Sequence, residues 1–213
     1  MDATIDWGDD TEPTYVTTPG PHVHDYGIDG IYTVSVTGSV TAYNSYENGG
    51  GEPYSEEAKL VSVDDWGQLG FTSMYRAFYN CSNLVSVPTT SDGIEAVTNM
   101  GGIFAYASVF NQPIGGWNTS GVTNMSGMFY YASAFNGNIG NWNTSSVTDM
   151  SWMFVGASSF NQDLSGWCVT LIPSEPVSFD FGATSWTLPD SRPIWGATCP
   201  YRPTTEGQFL HLP

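Results

Sequence analysis

A unit of 25 residues that recurs in the middle of the chain constrains the fold more than any other feature. The segments 101–125, 126–150 and 151–167 align in this register without a gap, and a degenerate earlier copy occupies 72–100. Phenylalanine, alanine and tryptophan recur at fixed places in the unit. The aligned columns are Phe104, Phe129 and Phe154; Ala107, Ala132 and Ala157; Phe110, Phe135 and Phe160; and Trp117, Trp142 and Trp167.

The spacing of apolar residues inside the unit predicts its local structure. They step by three or four residues in the first half, and irregularly through a second half rich in Gly and Asn. Each unit is therefore expected to form one helical turn and one short strand, joined by bends. A unit this short cannot bury its own aromatic residues, so the units are expected to stack into a repeat solenoid. The Asn column, formed by Asn111, Asn136 and Asn161, is expected to bond backbone groups at the bends.

The charge of the chain excludes two classes of partner. Four basic residues stand against twenty-one acidic ones, which gives a formal net charge of −17. Nucleic acid and anionic membrane surfaces both require a surplus of Lys and Arg, so neither is an expected partner. No apolar run is long enough to insert into a membrane. The acidic start "MDATIDWGDD" lacks the apolar core of a signal peptide, which leaves two alternatives: a leader that is removed, or export within a virus particle.

The flanks of the repeats are expected to cap the solenoid. Residues 1–42 contain alternating apolar residues bounded by turn residues, which predicts a small β-sandwich-like segment. Residues 43–71 predict a polar, Gly-rich linker followed by an N-terminal cap, and residues 168–213 predict an irregular C-terminal cap. These caps would cover the open ends of the repeats.

The three cysteines fall into two groups. Cys168 and Cys199 both lie in the C-terminal cap and are expected to form a disulfide in an oxidising environment, the alternative being reduced structural thiols. Cys81 occupies an apolar place in the first repeat and is expected to be a buried thiol.

The repeats resemble a known family. "AFYNCSNL" at 77–84 resembles the core of BspA-type leucine-rich repeats, and "WNTSxVTxMSxMFxxASxFNxxI" resembles the repeat of the BspA-like surface proteins of the DUF285 group. The resemblance covers residues 72–167 and extends through the tail. It implies a leucine-rich-repeat-like fold in a secreted or surface-exposed protein, with adhesion as the usual role.

The N-terminal segment resembles a polycystic-kidney-disease-type (PKD) β-sandwich. The signature of that domain runs W-G-D-G-T, then H-x-Y, then G-x-Y-x-V, and Asp10 replaces its second Gly. The matching residues are Trp7, Gly8, Asp9, Thr11, His24, Tyr26, Gly30, Tyr32 and Val34.

Two patterns in this segment raise the question of a metal. Asp6, Asp9 and Asp10 lie in one acidic turn that offers oxygen ligands to calcium, the alternative being a hydrated turn. His22 and His24 lie two apart, and Asp25 and His211 complete a conceivable zinc site; the alternative is that the histidines are packed or solvated. No other cofactor is expected.

No catalytic residues are expected. Hydrolysis of a sugar requires two converging carboxylates, and residues 101–167 contain only Asp149 and Asp163. A Gly-x-Ser-x-Gly nucleophile motif and a phosphate-binding loop are both missing.

Three functions remain open at this point. The favoured one is a non-enzymatic extracellular, cell-surface or virion-exterior protein that binds glycan or protein through the solenoid. The second is a structural subunit that assembles with copies of itself or with virion proteins, and the third is a glycan-active enzyme. For the favoured function, residues in the variable places of the repeat are the candidate ligand contacts, because the constant places make the core. They are Tyr106, Gln112, Tyr130, Tyr131, Asn138, Asn141 and Gln162.

Overall fold

A computed structural model describes residues 2–18, 22, 24–28, 30–42 and 59–199. The predicted linker at 43–58 and the end of the predicted C-terminal cap at 200–213 lie outside these residues. No α-helix occurs in the described ranges, and none of their segments has the length and apolarity of a membrane-spanning helix.

The N-terminal segment forms one antiparallel sheet. Its strands are β1 at Asp2–Asp6, β2 at Thr14–Val16 and β3 at Ser35–Ser39, and their order in the sheet is β2-β1-β3. Ala3 of β1 pairs with Val16 of β2, and both side chains are buried, whereas β3 is exposed along its whole length. The buried part of this sheet is therefore small.

Two short segments join the sheet to the repeats. Val40 donates a backbone hydrogen bond to the carbonyl of Leu69 (2.8 Å), and Ala42 pairs in parallel with Ser73. Val63 similarly donates to the carbonyl of Ser86 (2.9 Å). The segments 40–42 and 61–63 thus lie against the first repeat and cover its N-terminal side.

The repeats lie directly on one another, with an offset of 26 residues at the first step and 25 at the next two. Parallel bridges join Ser73 to Asn99, Asn99 to Asn124, and Asn124 to Asp149. Backbone hydrogen bonds to the next repeat follow each bridge at every second residue. Met100, Gly102, Phe104 and Tyr106 donate to the carbonyls of Asn124, Ser126, Met128 and Tyr130, at 2.7 to 3.0 Å.

The expected strand and helical turn take a different local form. Each repeat contributes a single bridge pair rather than a run of strand residues. The residues between those that bond the next repeat instead bond three residues back within their own repeat, as Ala105 does to Gly102 (3.1 Å) and Ala107 to Phe104 (3.1 Å). The backbone is therefore a series of tight turns that shares its hydrogen bonds between one repeat and the next.

Left-handed backbone conformations explain why these turns do not continue as a helix. Two residues, four apart, have positive φ in every repeat, and such residues interrupt a right-handed helix. We call them the first and second left-handed positions. The first is occupied by Arg76, Gly102, Gly127, Trp152 and Ser178, and the second by Asn80, Tyr106, Tyr131, Gly156 and Gly182.

The repeat arrangement continues beyond the predicted boundary at residue 167. Phe154 donates to the carbonyl of Phe179 (2.8 Å) and Gly156 to that of Phe181 (2.9 Å), as in the earlier repeats. The offset here is 26 residues rather than 25, and Trp186 lies against Phe160 with ring centroids 4.8 Å apart. The first part of the predicted irregular cap, up to about Trp186, is therefore a further repeat.

The core consists of columns of aromatic side chains. Phe104, Phe129 and Phe154 are stacked with centroids 5.8 and 5.6 Å apart, and they are fully buried. A parallel column contains Trp117, Trp142 and Trp167, with centroids 6.5 and 6.3 Å apart. Burial of these large rings is the main stabilising contribution that the repeats make.

Polar side chains tie each repeat to the one before it. The indole Nε1 of Trp142 donates to the carbonyl of Ile114 (3.0 Å), and Trp167 donates to Ile139 (3.1 Å). In the Asn column, Oδ1 of each residue accepts the backbone N–H of the next, at 2.7 Å from Asn136 and 2.9 Å from Asn161. The predicted bonds of this column to the backbone are therefore confirmed.

The predicted disulfide between Cys168 and Cys199 is present and joins residues whose Cα atoms are 4.5 Å apart. Cys81 is a buried thiol, as expected from its place in the repeat.

Candidate binding surface

Four large side chains occupy the left-handed positions of the repeats. Arg76, Tyr106, Tyr131 and Trp152 have φ values of 56°, 61°, 53° and 58°. Such a conformation costs a residue with a Cβ about 1–2 kcal/mol, and neighbouring repeats avoid most of this cost with glycine. Tyr106, Tyr131 and Trp152 are 36%, 48% and 48% exposed, so core packing does not account for them. The fold imposes the conformation in every repeat, so what requires a reason is the use of large residues in place of glycine, and a functional site is one such reason.

Three of these side chains, those of Arg76, Tyr106 and Trp152, border a shallow depression of about 250 Å³, which we call the aromatic groove. Glycines at the first left-handed position form its floor, and Arg76 and Trp152 occupy the same position in the repeats on either side. Tyrosines form the walls. The residues that line the groove are Tyr75, Arg76, Tyr79, Gly102, Ala105, Tyr106, Ser126, Gly127, Tyr130 and Trp152.

The tyrosine rings of this surface pack on one another. Tyr106 and Tyr131 are stacked at 5.5 Å with an angle of 7° between their planes. Tyr79 and Tyr130 each meet Tyr106 edge-on at 5.4 Å. This packing holds the rings in fixed orientations while leaving part of each exposed.

One cation lies at the edge of the tyrosine cluster. The guanidinium of Arg76 is 5.1 Å from the ring centroid of Tyr75 and 5.3 Å from that of Tyr79, within cation–π range. No carboxylate is among the residues that line the groove. The groove thus combines aromatic rings with one positive charge, in a chain whose net charge is −17.

The phenol of Tyr106 is held in its neutral form. Burial raises its pKa to about 12, and the neighbouring Tyr130 and Tyr79, with a hydrogen bond between Tyr106 and Tyr130, act in the same direction. Tyr106 therefore keeps its proton throughout the neutral pH range and presents a hydroxyl that can donate or accept a hydrogen bond.

The seven predicted ligand contacts do not form one site. Tyr106 and Tyr130 line the aromatic groove, and Tyr131 stacks on Tyr106. The two glutamines instead connect repeats: Oε1 of Gln112 accepts the backbone N–H of Val87 (2.7 Å), and Nε2 of Gln162 donates to the carbonyl of Asn136 (3.0 Å). Asn138 accepts the backbone N–H of Gly140 (3.0 Å), and Asn141 is exposed; neither lines the groove.

Sequence reasoning missed the four other large side chains of the groove, namely Tyr75, Arg76, Tyr79 and Trp152. The alignment did carry a signal for one of them, because Trp152 stands where the two preceding repeats have Gly102 and Gly127. A glycine column that contains one tryptophan indicates a place where bulk is tolerated but not required for the core.

The repeat region matches a protein family. The family described as "Mycoplasma protein of unknown function, DUF285" matches residues 72–182, which is just over half of the chain. The chain belongs to the DUF285 family. No curated protein matches the chain, and neither does any solved structure. The DUF285 match ends at Gly182, so it contains both left-handed positions of the further repeat and the whole aromatic groove.

The acidic turn of the N-terminal sheet lies outside the DUF285 match. Its carboxylates form hydrogen bonds with nearby side chains and backbone groups. Nε2 of His24 is 2.7 Å from Oδ2 of Asp9, and Oδ1 of Asp9 accepts the hydroxyl (2.7 Å) and the backbone N–H (3.3 Å) of Thr11. The bond with His24, followed by that with Thr11, lowers the pKa of the Asp9 carboxyl. Oδ1 of Asp6 accepts the backbone N–H of Gly8 (2.9 Å).

The predicted metal ligands are not brought together. Within the described ranges, no three His, Cys, Asp or Glu side chains converge as a metal site would require. His211, which was part of the conceivable zinc site, lies outside the described residues. His24 instead stacks on Trp7 at 5.0 Å and meets Tyr26 edge-on at 4.7 Å, which is the packed arrangement that the zinc prediction was weighed against.

Proposed function

We propose that this DUF285 protein is a non-enzymatic recognition protein that binds glycan or protein through the aromatic groove. The observation that carries the proposal is the presence of Arg76, Tyr106 and Trp152, all at least partly exposed, at strained left-handed positions that line one groove. Because glycine is used at these positions in other repeats, the fold does not need the large side chains. A ligand supplies a reason for them.

The chemistry of the groove suits sugars best. Exposed aromatic rings cover the apolar faces of sugars, and hydroxyl groups such as those of Ser126 and Tyr130 exchange hydrogen bonds with sugar hydroxyls. Rigid rings also lose little conformational entropy on binding. These features support a glycan ahead of a flat protein surface.

We further propose that the repeats form a leucine-rich-repeat-like solenoid, as BspA-like proteins of this family are expected to do. The regular pattern of backbone hydrogen bonds between successive repeats supports this assignment. The N-terminal sheet is proposed to be PKD-like. The contacts of His24 with Trp7, Asp9 and Tyr26, all of which are signature residues, support that relationship.

The proposed location is extracellular, on a cell surface or on the exterior of a virion. The Cys168–Cys199 disulfide supports an oxidising environment.

A binding role is proposed over catalysis because the carboxylates of Asp149 and Asp163 accept backbone hydrogen bonds. Oδ1 of Asp149 accepts the N–H of Ser151 (2.9 Å), and Oδ1 of Asp163 accepts that of Ser165 (2.9 Å). The bonds from the side chain and backbone of Ser165 lower the pKa of Asp163, which makes it a poor general acid at neutral pH.

The proposal is tested by measuring glycan and protein capture by the chain and by the variant Trp152→Gly, with Asn141→Ala as a control away from the groove. Glycine is the residue that two other repeats have at position 152, so the variant is expected to fold while losing capture. Equal capture by the variant and the wild type would show that Trp152 and the groove do not contribute to binding. If nothing is captured and the mass in light scattering grows with concentration, the alternative of a self-assembling structural subunit is favoured.

A further inference from the structure

The last repeat ends in an open backbone edge at residues 177–182, which we call the terminal edge. None of these residues lines the aromatic groove, so this is a second surface. We infer that the terminal edge binds an extended peptide of another protein, with apolar residues at its centre and basic residues beside them. The peptide takes the place that a following repeat has elsewhere in the stack.

The backbone of each repeat donates hydrogen bonds in one direction along the stack. Trp152, Phe154 and Gly156 donate their N–H groups to carbonyls of the further repeat, at 2.8 to 2.9 Å. The bridges between repeats are parallel, so the accepting segment runs in the same direction as the donating one. Each repeat therefore requires a neighbouring segment that supplies a carbonyl at every second residue.

The donors of the last repeat lack such a neighbour. They are the N–H groups of Ser178, Asp180 and Gly182, and in the part of the chain that the structure describes none of them donates to a carbonyl. Ser178 and Gly182 are exposed and have φ values of 51° and 81°, the same left-handed conformation as their counterparts one repeat earlier. Three donors at alternate residues match the carbonyls of an added extended strand.

Two apolar side chains of the terminal edge are also uncovered. Val177 is 63% exposed and Phe181 is 72% exposed. Val155 has the place of Phe181 in the preceding repeat, where a repeat follows, and it is only 6% exposed. Terminal repeats ordinarily present a polar outer face, so exposed apolar residues here are typical of an interaction surface. The bound peptide is expected to place apolar side chains against both residues.

Charge favours a basic peptide over an acidic one. Residues 168–199 contain three acidic residues and one basic residue, Arg192. The guanidinium of Arg192 lies 2.9 Å from the carboxylate of Asp180 and forms an ion pair with it. Glu175 is exposed three residues before Ser178. Lys or Arg beside the apolar residues of the peptide complements this acidic surface.

A second copy of the chain is a poorer occupant of the terminal edge. The segments 40–42 and 61–63 cover the N-terminal side of the first repeat, so that side is not an open counterpart. Two copies that each have a net charge of −17 also repel one another. These features favour a peptide from a different protein.

Fluorescence anisotropy with the full chain tests the inference. The probe is a labelled peptide with the sequence of residues 150–156, a segment that pairs with the equivalent edge of the preceding repeat, flanked by two lysines at each end. We expect it to bind at least tenfold more tightly than the same peptide flanked by glutamates. Amide exchange followed by NMR should slow at least tenfold at Ser178, Asp180 and Gly182 when the lysine-flanked peptide is bound.

A double variant removes the apolar contacts with residues that other repeats already use. Val177→Ser introduces the residue found at Ser126 and Ser151, and Phe181→Ala introduces the residue found at Ala105. The double variant is therefore expected to fold, which urea denaturation checks, and to weaken peptide binding at least tenfold. Tyr106→Asn changes the aromatic groove instead, and it is expected to bind the peptide as tightly as the wild type does.

Three outcomes would overturn the inference. Peptide binding that leaves amide exchange at the terminal edge unchanged would place the peptide elsewhere. Slow exchange of these amides in the absence of peptide would mean that the edge is already occupied, by a second copy if the slowing increases with protein concentration and by another segment of the chain if it does not. Equal binding of the glutamate-flanked peptide would reject the preference for a basic partner. Because these readouts do not involve the groove, they leave the proposed function to its own test.

Discussion

The ring of Tyr131 covers Gly156 of the following repeat, so that a Cβ added to Gly156 would lie 2.8 Å from Cδ1 of Tyr131. Gly156 also has a φ of 67°, at which a Cβ is strained. We expect Gly156→Ala to lower the free energy of unfolding by about 2 kcal/mol, as measured by urea denaturation. In the double variant with Tyr131→Gly, the steric part of this loss should disappear and the backbone part should remain. If Gly156→Ala lowers the free energy of unfolding equally in the wild type and in Tyr131→Gly, the Tyr131 ring moves aside without a loss of stability.

Trp142 provides a test of the bonds between repeats. Trp142→Phe preserves an aromatic ring but removes the hydrogen bond to the buried carbonyl of Ile114. Because an unsatisfied buried carbonyl and a small cavity both cost free energy, a loss of about 2–4 kcal/mol is expected in denaturant titration. Trp152→Gly, at an exposed tryptophan, is the matched control and should change stability much less. A similar loss in both variants would contradict the assigned role of the indole bond.

The Cys168–Cys199 disulfide is expected to stabilise the C-terminal part of the repeats. It closes a loop with a sequence separation of 31 residues, for which chain entropy gives about 3–4 kcal/mol. Thermal unfolding should therefore occur at a lower temperature after reduction, or in Cys168→Ser with Cys199→Ser. The double serine variant should show no further change on adding reductant; if it does, another thiol is responsible.

Tyr106 should give the protein a pH dependence at alkaline pH. Its pKa of about 12 in the folded protein exceeds the ordinary value of 10.0, so the folded state holds the proton more tightly than the unfolded state does. The stabilisation is complete below pH 10 and is lost as the pH rises towards 12. Ultraviolet titration of tyrosinate, compared between the wild type and Tyr106→Asn, should show one phenol with a midpoint near pH 12. If the phenol that is lost in Tyr106→Asn instead titrates near pH 10, the burial of this hydroxyl is contradicted.

The sequence predicted the register of the repeats because the register depends on side chains that recur. Columns such as Phe104, Phe129 and Phe154 are visible in an alignment, and each such residue is buried. The further repeat escaped detection because Asp180 stands opposite Phe154 and Trp186 stands opposite Phe160, so the phenylalanine columns do not continue into it.

The candidate site was less predictable than the register. Selecting variable places identified Tyr106 and Tyr130, but it also selected Gln112 and Gln162, whose amides form bonds between repeats. Arg76 and Trp152 were missed because nothing in a single sequence shows that a non-glycine residue adopts a left-handed conformation. That conformation is imposed by the backbone bonds to the next repeat, which only the three-dimensional arrangement reveals.

The indole of each core tryptophan reaches back to the repeat before it, and the Asn side chains do the same. Because these contacts reach only to the adjacent repeat, each repeat carries its own complete set of contacts to its neighbours. A gene duplication that inserts one more copy would therefore lengthen the protein by one repeat and preserve the same kind of contact between every pair of neighbouring repeats. The bordering side chains of the groove would move apart by that same step, so that the length of ligand accommodated could evolve by copying alone.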